Sequence, residues 1–168
     1  MQYSALYLSE ELLKYAYHDE LTGLLNRRDI NEVLEKQLQL GNKDMSLVMI
    51  DVDNFKLIND RNGHLAGDRV LRNIGNILNK NFNNNINLVS RWGGDEFVVI
   101  YFGDQQQLNH IIDNVKQQFK RYANNIEPLT DISIGIASLD ECKSVNDIIE
   151  KSDQLMYKQK NIKKQELR

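Results

Sequence analysis

Two short acidic groups carry most of the chemical information in this sequence. Asp51 and Asp53 close a continuous apolar run, Met45–Val52, and are followed by Asn54, Phe55 and Lys56. Asp95 and Glu96 follow Gly93 and Gly94, between two further apolar runs. A carboxylate at the carboxyl end of a buried strand points toward the crevice where open α/β sheets bind ligands. Glycines beside the second pair permit a tight turn, or the close approach of a ligand to the backbone. If the first strand neighbours the hairpin, Asp51, Asp95 and Glu96 converge. Carboxylates without histidine or cysteine form a hard oxygen site, suited to magnesium with substrate phosphates completing its shell. Two such ions match the arrangement used for displacement at phosphorus. Taken singly, each pair is better explained by the polarity of turns that end strands; only both together, in order, point to chemistry.

The elements that must position these groups are legible from periodicity. Residues 18–28 form a polar turn. A helix then runs to about Leu40, with Ile30, Val33, Leu34 and Leu38 on one face. Met45–Val52 has the pattern of a strand buried on both faces. A short helix over 54–61 ends at Asn62-Gly63, and an amphipathic helix follows at about 66–80. Residues 81–87 read as a polar connection. Leu88–Arg91 and Glu96–Phe102 read as strands joined by a tight turn at Gly93-Gly94. A helix over about 105–122 comes next. Thr130–Ala137 alternates, with Ile132, Ile134 and Ile136 one way and Ser133 and Gly135 the other. A last helix spans about Val145–Lys160, followed by a basic tail. The class is α/β, layered as an α+β sandwich, and the βαββαβ core with its mainly antiparallel central sheet resembles a ferredoxin-like palm flanked by helices.

Residues 1–17 read as a separate helix, with Ala5, Leu8, Leu12 and Tyr15 at 3-4-3 spacing. So short a helix needs a partner. Either it packs on its own domain, or it is the end of a signalling helix from a sensor in a longer parent.

Composition narrows the classes further. The chain has 168 residues, 41% hydrophobic and 27% charged, with one Pro and one Cys. That is one globular domain, neither disordered nor disulfide-stapled. No apolar run is long enough to span a bilayer, so no membrane insertion is expected from this chain, and the start lacks the basic flank of a secretory signal. A cytoplasmic setting is expected. The formal net charge of −3 offers no general attraction to nucleic acid, and any anionic substrate needs local cations or a metal. Trp92 and Phe97 fit the core better than a stacking role, and Cys142 has no base beside it.

Arg91-Trp92-Gly93-Gly94-Asp95-Glu96-Phe97 contains the pentapeptide of the GGDEF family, the diguanylate cyclases. The resemblance extends through Asp19–Arg28, similar to an opening D-x-L-T-G-L-x-N-R-R motif, and Asp51–Lys56, similar to the family's metal and phosphate loop. It continues through Asn59-Asp60, Gly63-His64 and Gly67-Asp68, then Ser133-Ile134-Gly135, and Ser152-Asp153 through Tyr157 and Lys160. Separated motifs in the right order are far more specific than one match. On this basis residues 18–168 are identified as one domain of that family.

The resemblance implies condensation of two GTP to cyclic di-GMP with loss of two pyrophosphates, across a homodimer. It assigns Asp51, Asp95, Glu96 and the Val52 carbonyl to magnesium or manganese, two ions per site. Asp95 is the implied proton acceptor for the attacking 3′-hydroxyl, and Glu96 is implied to support the second metal. The backbone of Asp53, Asn54 and Phe55 would wrap the β- and γ-phosphates, with Lys56, Lys160 and Lys164 as counter-charges and Gly93-Gly94 lining the substrate. Asn59 and Asp68 would read guanine, since a carboxylate accepts from its N1–H and amino group and repels the adenine N1 lone pair. His64 either touches the ribose or stabilises its turn. Asp19, Asn26 and Arg28 brace the site as a capped, ion-paired turn.

Two departures stand out. Where the family often carries the R-x-x-D of an inhibitory product site, this chain has Asn84, Asn85, Ile86 and Asn87, so no such site is expected. The closing A-K-x-x-G-R-N reads Gln159-Lys160-Asn161-Ile162-Lys163-Lys164-Gln165, which places a lysine where glycine is usual and Lys164 where arginine is usual. A GTP-binding module without turnover, and a cyclase for another nucleotide, are the alternatives. The intact Asp51, Asp95, Glu96, Asn59 and Asp68 oppose the first, and the retained Asp68 opposes the second.

Overall fold

The strand β1 (Met45–Asp53) is buried along its whole length, because helices cover both faces of the sheet it centres. A computed structural model of the chain describes residues 17–41, 44–82 and 86–166. In chain order the elements are α1 (Arg27–Gln39), β1, α2 (Phe55–Asn62), α3 (His64–Phe82), β2 (Leu88–Gly93), β3 (Glu96–Phe102), α4 (Gln105–Ala123), β4 (Asp131–Ser138), a 3₁₀ turn (Leu139–Glu141) and α5 (Val145–Glu166). The sheet order is β2-β3-β1-β4, and every neighbouring pair is antiparallel. This is the expected βαββαβ sandwich.

Alternation along the strands divides the core in two. Val48, Ile50, Val52, Phe97, Val99, Ile132 and Ile134 face α3 and α4, where Val70, Ile74, Leu108, Val115 and Phe119 meet them. Met45, Leu47, Met49, Val98 and Ile100 face the other way, against Ile30 and Leu34 of α1 and Ile148 and Met156 of α5. Phe97 is fully buried, as its alternation requires. Trp92 packs against the edge of the second cluster, with the Arg27 guanidinium 4.4 Å from its ring.

Three boundaries differ from the periodicity reading. The turn between β2 and β3 is Gly94-Asp95, one residue later than expected, with Gly93 paired opposite Glu96. Gly94 has φ 54°, a left-handed conformation that glycine adopts without strain. Helix α3 begins at His64 and continues to Phe82, whose ring is buried against Tyr101. Helix α5 continues to Glu166, so the basic tail is helical; lysine and glutamine are good helix formers, and nothing in the run breaks the turn. The expected helix over residues 1–17 falls outside the described residues, apart from Tyr17.

Candidate active site

The acidic groups are placed by the same alternation that builds the core. Asp51 and Asp53 continue the row Met45–Leu47–Met49, so both project toward α5. In register, Asp51 lies opposite Glu96 on β3 and Ser133 on β4. Asp95 sits in the adjoining turn, where its carbonyl accepts from the Val52 N–H at 3.2 Å. Asp51, Asp95 and Glu96 therefore all lie at the carboxyl end of β1.

Helix α5 supplies the cations. Ile148, Ser152 and Met156 form its buried stripe, and steps of four and three residues carry that stripe to Lys160 and Lys163. The Lys160 ammonium donates to Asp51 Oδ1 at 2.5 Å. Close docking of the helix is what brings it there. At Gly135 of β4, a Cβ would fall 1.9 Å from the Ser152 carbonyl oxygen, and Gln159 accepts from the Ile134 N–H at 2.7 Å.

The charges perturb one another. Burial, then the charge of Asp51, pushes the Asp95 carboxyl up, against Lys160 and Arg91. Burial, then Asp51, Asp95 and Asp153, pushes Glu96 up. Burial alone would lower the Lys160 ammonium, but the hydrogen bond and charge of Asp51 outweigh it and raise the group. Among the described residues no three His, Cys, Asp or Glu side chains are already gathered around one metal position. The donor chemistry nevertheless fits a hard divalent cation. Asp51, Asp95 and Glu96 are all-oxygen donors whose mutual repulsion such a cation would relieve, and the ammonium now at Asp51 shows where positive charge is accepted.

The turn after β1 is unusual. Asn54 has φ 60°, the sole left-handed non-glycine among the described residues. Asparagine tolerates this conformation, and its amide is pinned by donating to the Leu129 carbonyl at 2.7 Å. The turn leads directly into α2, whose first N–H groups, those of Phe55 and Lys56, have no carbonyl one turn earlier to bond. A left-handed residue followed by a helix start turns successive N–H groups toward one point, as anion-binding nests do. A cleft of about 190 Å³ opens beside it, lined by Asn54, Lys160, Lys163 and Lys164 among others.

The expected base-reading residues lie apart from this cleft. Asn59 and Asp68 are half-buried. Asn59 Oδ1 lies against Gly67, where a Cβ would approach it to 2.1 Å. His64 and Lys56 are exposed, on the first turns of α3 and α2. The brace is present, with a different partner from the one the opening motif implied. Asn26 caps α1 by accepting from the Arg28 N–H at 3.0 Å, but the ion pair of Asp19 is to Arg91, at 3.1 Å. Arg91 also donates twice to the Gly94 carbonyl, at 2.7 and 3.0 Å, so it fixes the turn that carries Asp95. Hydrogen bonds from Thr22 and Arg91 hold the Asp19 carboxyl low although its burial acts to raise it.

Two motif residues take parts in the site that the sequence did not assign them. Asp153 contributes to the field at Glu96, and Lys163 bonds Asp53. The helical step from Met156 was the available signal for Lys163, and ending the helix at Lys160 concealed it. Of the replaced inhibitory positions, Asn84 lies outside the described residues. Asn87 accepts from the Phe102 N–H at 2.9 Å and donates to the Phe82 carbonyl at 3.3 Å, a structural pin. Burial, aided by nearby acids, pushes the Cys142 thiol up, which opposes a nucleophilic role.

Comparison with known proteins gives one consistent result. The family model described as "Diguanylate cyclase, GGDEF domain" matches residues 16–166. Diguanylate cyclase DgcM of Escherichia coli K12 is 33% identical over 161 residues, covering 92% of this chain and 38% of that protein. Diguanylate cyclase DgcP of the same strain is 34% identical over 163 residues, covering 90% and 47%. The chain thus spans less than half the length of these relatives. Among solved structures, the GGDEF domain of TpbB (YfiN) from Pseudomonas aeruginosa superposes with a TM-score of 0.76 at 33% identity, covering 86% of this chain and 89% of that one. The coiled coil and GGDEF domain of DgcB from Caulobacter crescentus, in complex with c-di-GMP, gives a TM-score of 0.80 at 22% identity, with 92% and 85% covered, a likeness of fold.

Proposed function

Because the chain belongs to the GGDEF domain family of diguanylate cyclases, we propose that it condenses two GTP into cyclic di-GMP and two pyrophosphates, each 3′-hydroxyl attacking the α-phosphate of the other nucleotide. The observation that carries this reading is the juxtaposition at the end of β1. Asp51 and Glu96 face each other across the sheet, with Asp95 in the adjoining turn and Lys160 of α5 bonded to Asp51. The left-handed Asn54 turn stands directly beside them.

Each group has a task in that reaction. The N–H groups after Asp53 hold the β- and γ-phosphates, and Lys160 and Lys164 answer their charge. Asp51, Asp95, Glu96 and the Val52 carbonyl would hold magnesium or manganese, which when bound stabilises negative charge developing on the attacking and leaving oxygens. Asp95 accepts the proton of the 3′-hydroxyl. Asn59 and Asp68 bind the guanine edge. Arg91, through Asp19 and Gly94, keeps the Asp95 turn in place.

One such site holds one GTP, so reciprocal attack requires two chains face to face, and the active species is a homodimer. No helix among the described residues is long and apolar enough to cross a membrane. The test is incubation with magnesium and GTP, followed by identification of products by mass. Cyclic di-GMP is expected from GTP, with no cyclic product from ATP. GTP bound without turnover would instead identify a signalling module.

A further inference from the structure

Lys163 occupies a position for which neither the motifs nor the proposed reaction supplies a role. Its ammonium donates to Asp53 Oδ2 at 3.1 Å, to Asp131 Oδ2 at 2.8 Å and to the Ile132 carbonyl at 2.5 Å. A lysine ammonium has three protons, and here each has an acceptor. Lys160, one turn earlier, is hydrogen-bonded to a single acceptor among the described residues, Asp51. Lys160 therefore has protons available for an anion, and Lys163 has none.

The three acceptors of Lys163 explain why a cation is needed. Asp53 and Asp131 are directly opposed in the β1–β4 register, and like charges so placed repel. Asp53 is also buried, at 7% exposure. Its other partner is the Ser133 hydroxyl, which reaches its two oxygens at 2.7 and 2.9 Å but carries no charge. A buried carboxylate without a cation is costly. It is also badly placed here, because Asp53 begins the turn whose N–H groups are proposed to receive a triphosphate.

We infer that Lys163 is a positioning residue for the triphosphate. It neutralises Asp53 beneath the phosphate turn and ties that turn to β4, and so leaves Lys160 and Lys164 to bind the phosphates themselves. This rests on the proposed GTP reading. The lysine found where glycine is usual in the closing motif thus serves the site through Asp53.

The experiment is a double-mutant cycle on binding. The nucleotide is 3′-deoxy-GTP with magnesium, which lacks the attacking hydroxyl and cannot turn over. Calorimetry measures its Kd for the wild type, Lys163→Met, Asp53→Asn and the double variant, with thermal unfolding confirming that each is folded. Lys163→Met keeps the aliphatic stem and is expected to weaken binding about tenfold, the order of one uncompensated charge beside a bound anion. In the Asp53→Asn background the same change is expected to cost no more than about threefold, since the charge to be neutralised is gone. Lys163→Arg retains the charge and is expected to recover most of the affinity. Equal losses in both backgrounds would mean that Lys163 acts on the phosphates directly, which overturns the inference. So would wild-type affinity in a folded Lys163→Met variant. If the folded wild type binds no 3′-deoxy-GTP, the GTP reading itself fails and this inference with it.

Discussion

Replacing Gly67 with alanine would separate guanine recognition from fold stability. A Cβ at this position would lie 2.1 Å from Asn59 Oδ1 and 3.0 Å from the far edge of the Phe55 ring. The first contact is impossible, so something must move. The atom in the way ends a short side chain with freedom about two bonds, and Asn59 is half-buried, so its amide can swing aside without moving the backbone. Within a helix, alanine is favoured over glycine by about 0.8–1 kcal/mol, which offsets the displacement. The thermal midpoint is therefore expected to stay within about 4 °C of the wild type. Binding follows the amide. If Asn59 meets the guanine edge, its displacement leaves a polar contact unmade, at about 1–2 kcal/mol. That corresponds to a roughly 5- to 30-fold rise in the KM for GTP, with the loss of ATP affinity smaller. Initial rates against nucleotide concentration, with a melting curve on the same preparation, provide both numbers. An unchanged KM in a normally melting variant would refute Asn59 as a base reader. A collapse of the melting temperature would show that the backbone yields and the side chain does not.

The remaining predictions concern the helix, the charges and the assembly. Gly135→Ala would push a Cβ to 1.9 Å from the Ser152 carbonyl oxygen and 2.4 Å from the Met156 nitrogen; these are backbone atoms of α5, so equilibrium denaturation should show a loss of roughly 3 kcal/mol. Asp95 and Glu96 have folded-state values above those of the unfolded chain, so their ionisation opposes folding: their favourable contribution is complete below the ordinary carboxylate values and is lost as pH rises through the raised ones. In metal-free buffer, Asp95→Asn with Glu96→Gln should therefore be more stable than the wild type at pH 7, and the advantage should vanish near pH 4; equal stability at pH 7 would contradict it. Specific activity should rise with enzyme concentration until the dimer saturates, and a concentration-independent rate from a chain shown to be monomeric by sedimentation would contradict reciprocal attack.

Much of the architecture was legible because apolar spacing follows helix and strand geometry. The largely apolar run Met45–Val52 required a strand covered on both faces, and the structure covers it on both. The alternation of Ile132, Ile134 and Ile136 with Ser133 and Gly135 separated the face that meets α4 from the face that meets α5. The motif order identified the family, and the carboxylates at 51, 95 and 96 were foreseeable as a cluster, because strand ends and hairpin turns are local features.

What pairs with what was decided by tertiary structure. Sheet register alone opposes Asp51 to Glu96 and Asp53 to Asp131, and register depends on how whole strands bury their apolar rows. The ion pair of Asp19 with Arg91 joins residues 72 apart, a separation that no local pattern encodes. The end of α5 lies beyond its periodicity for the opposite reason. Its last residues are polar apart from the exposed Ile162 and show no apolar stripe, yet they stay helical because the acceptors that complete the stripe lie on the sheet. Lys160 meets Asp51 across 109 positions and Lys163 meets Asp53 across 110. The carboxylates and the motifs around them were written in the sequence. The charges that balance them became visible only once β1 and α5 were packed together, because a salt bridge between distant segments leaves no periodicity in either one.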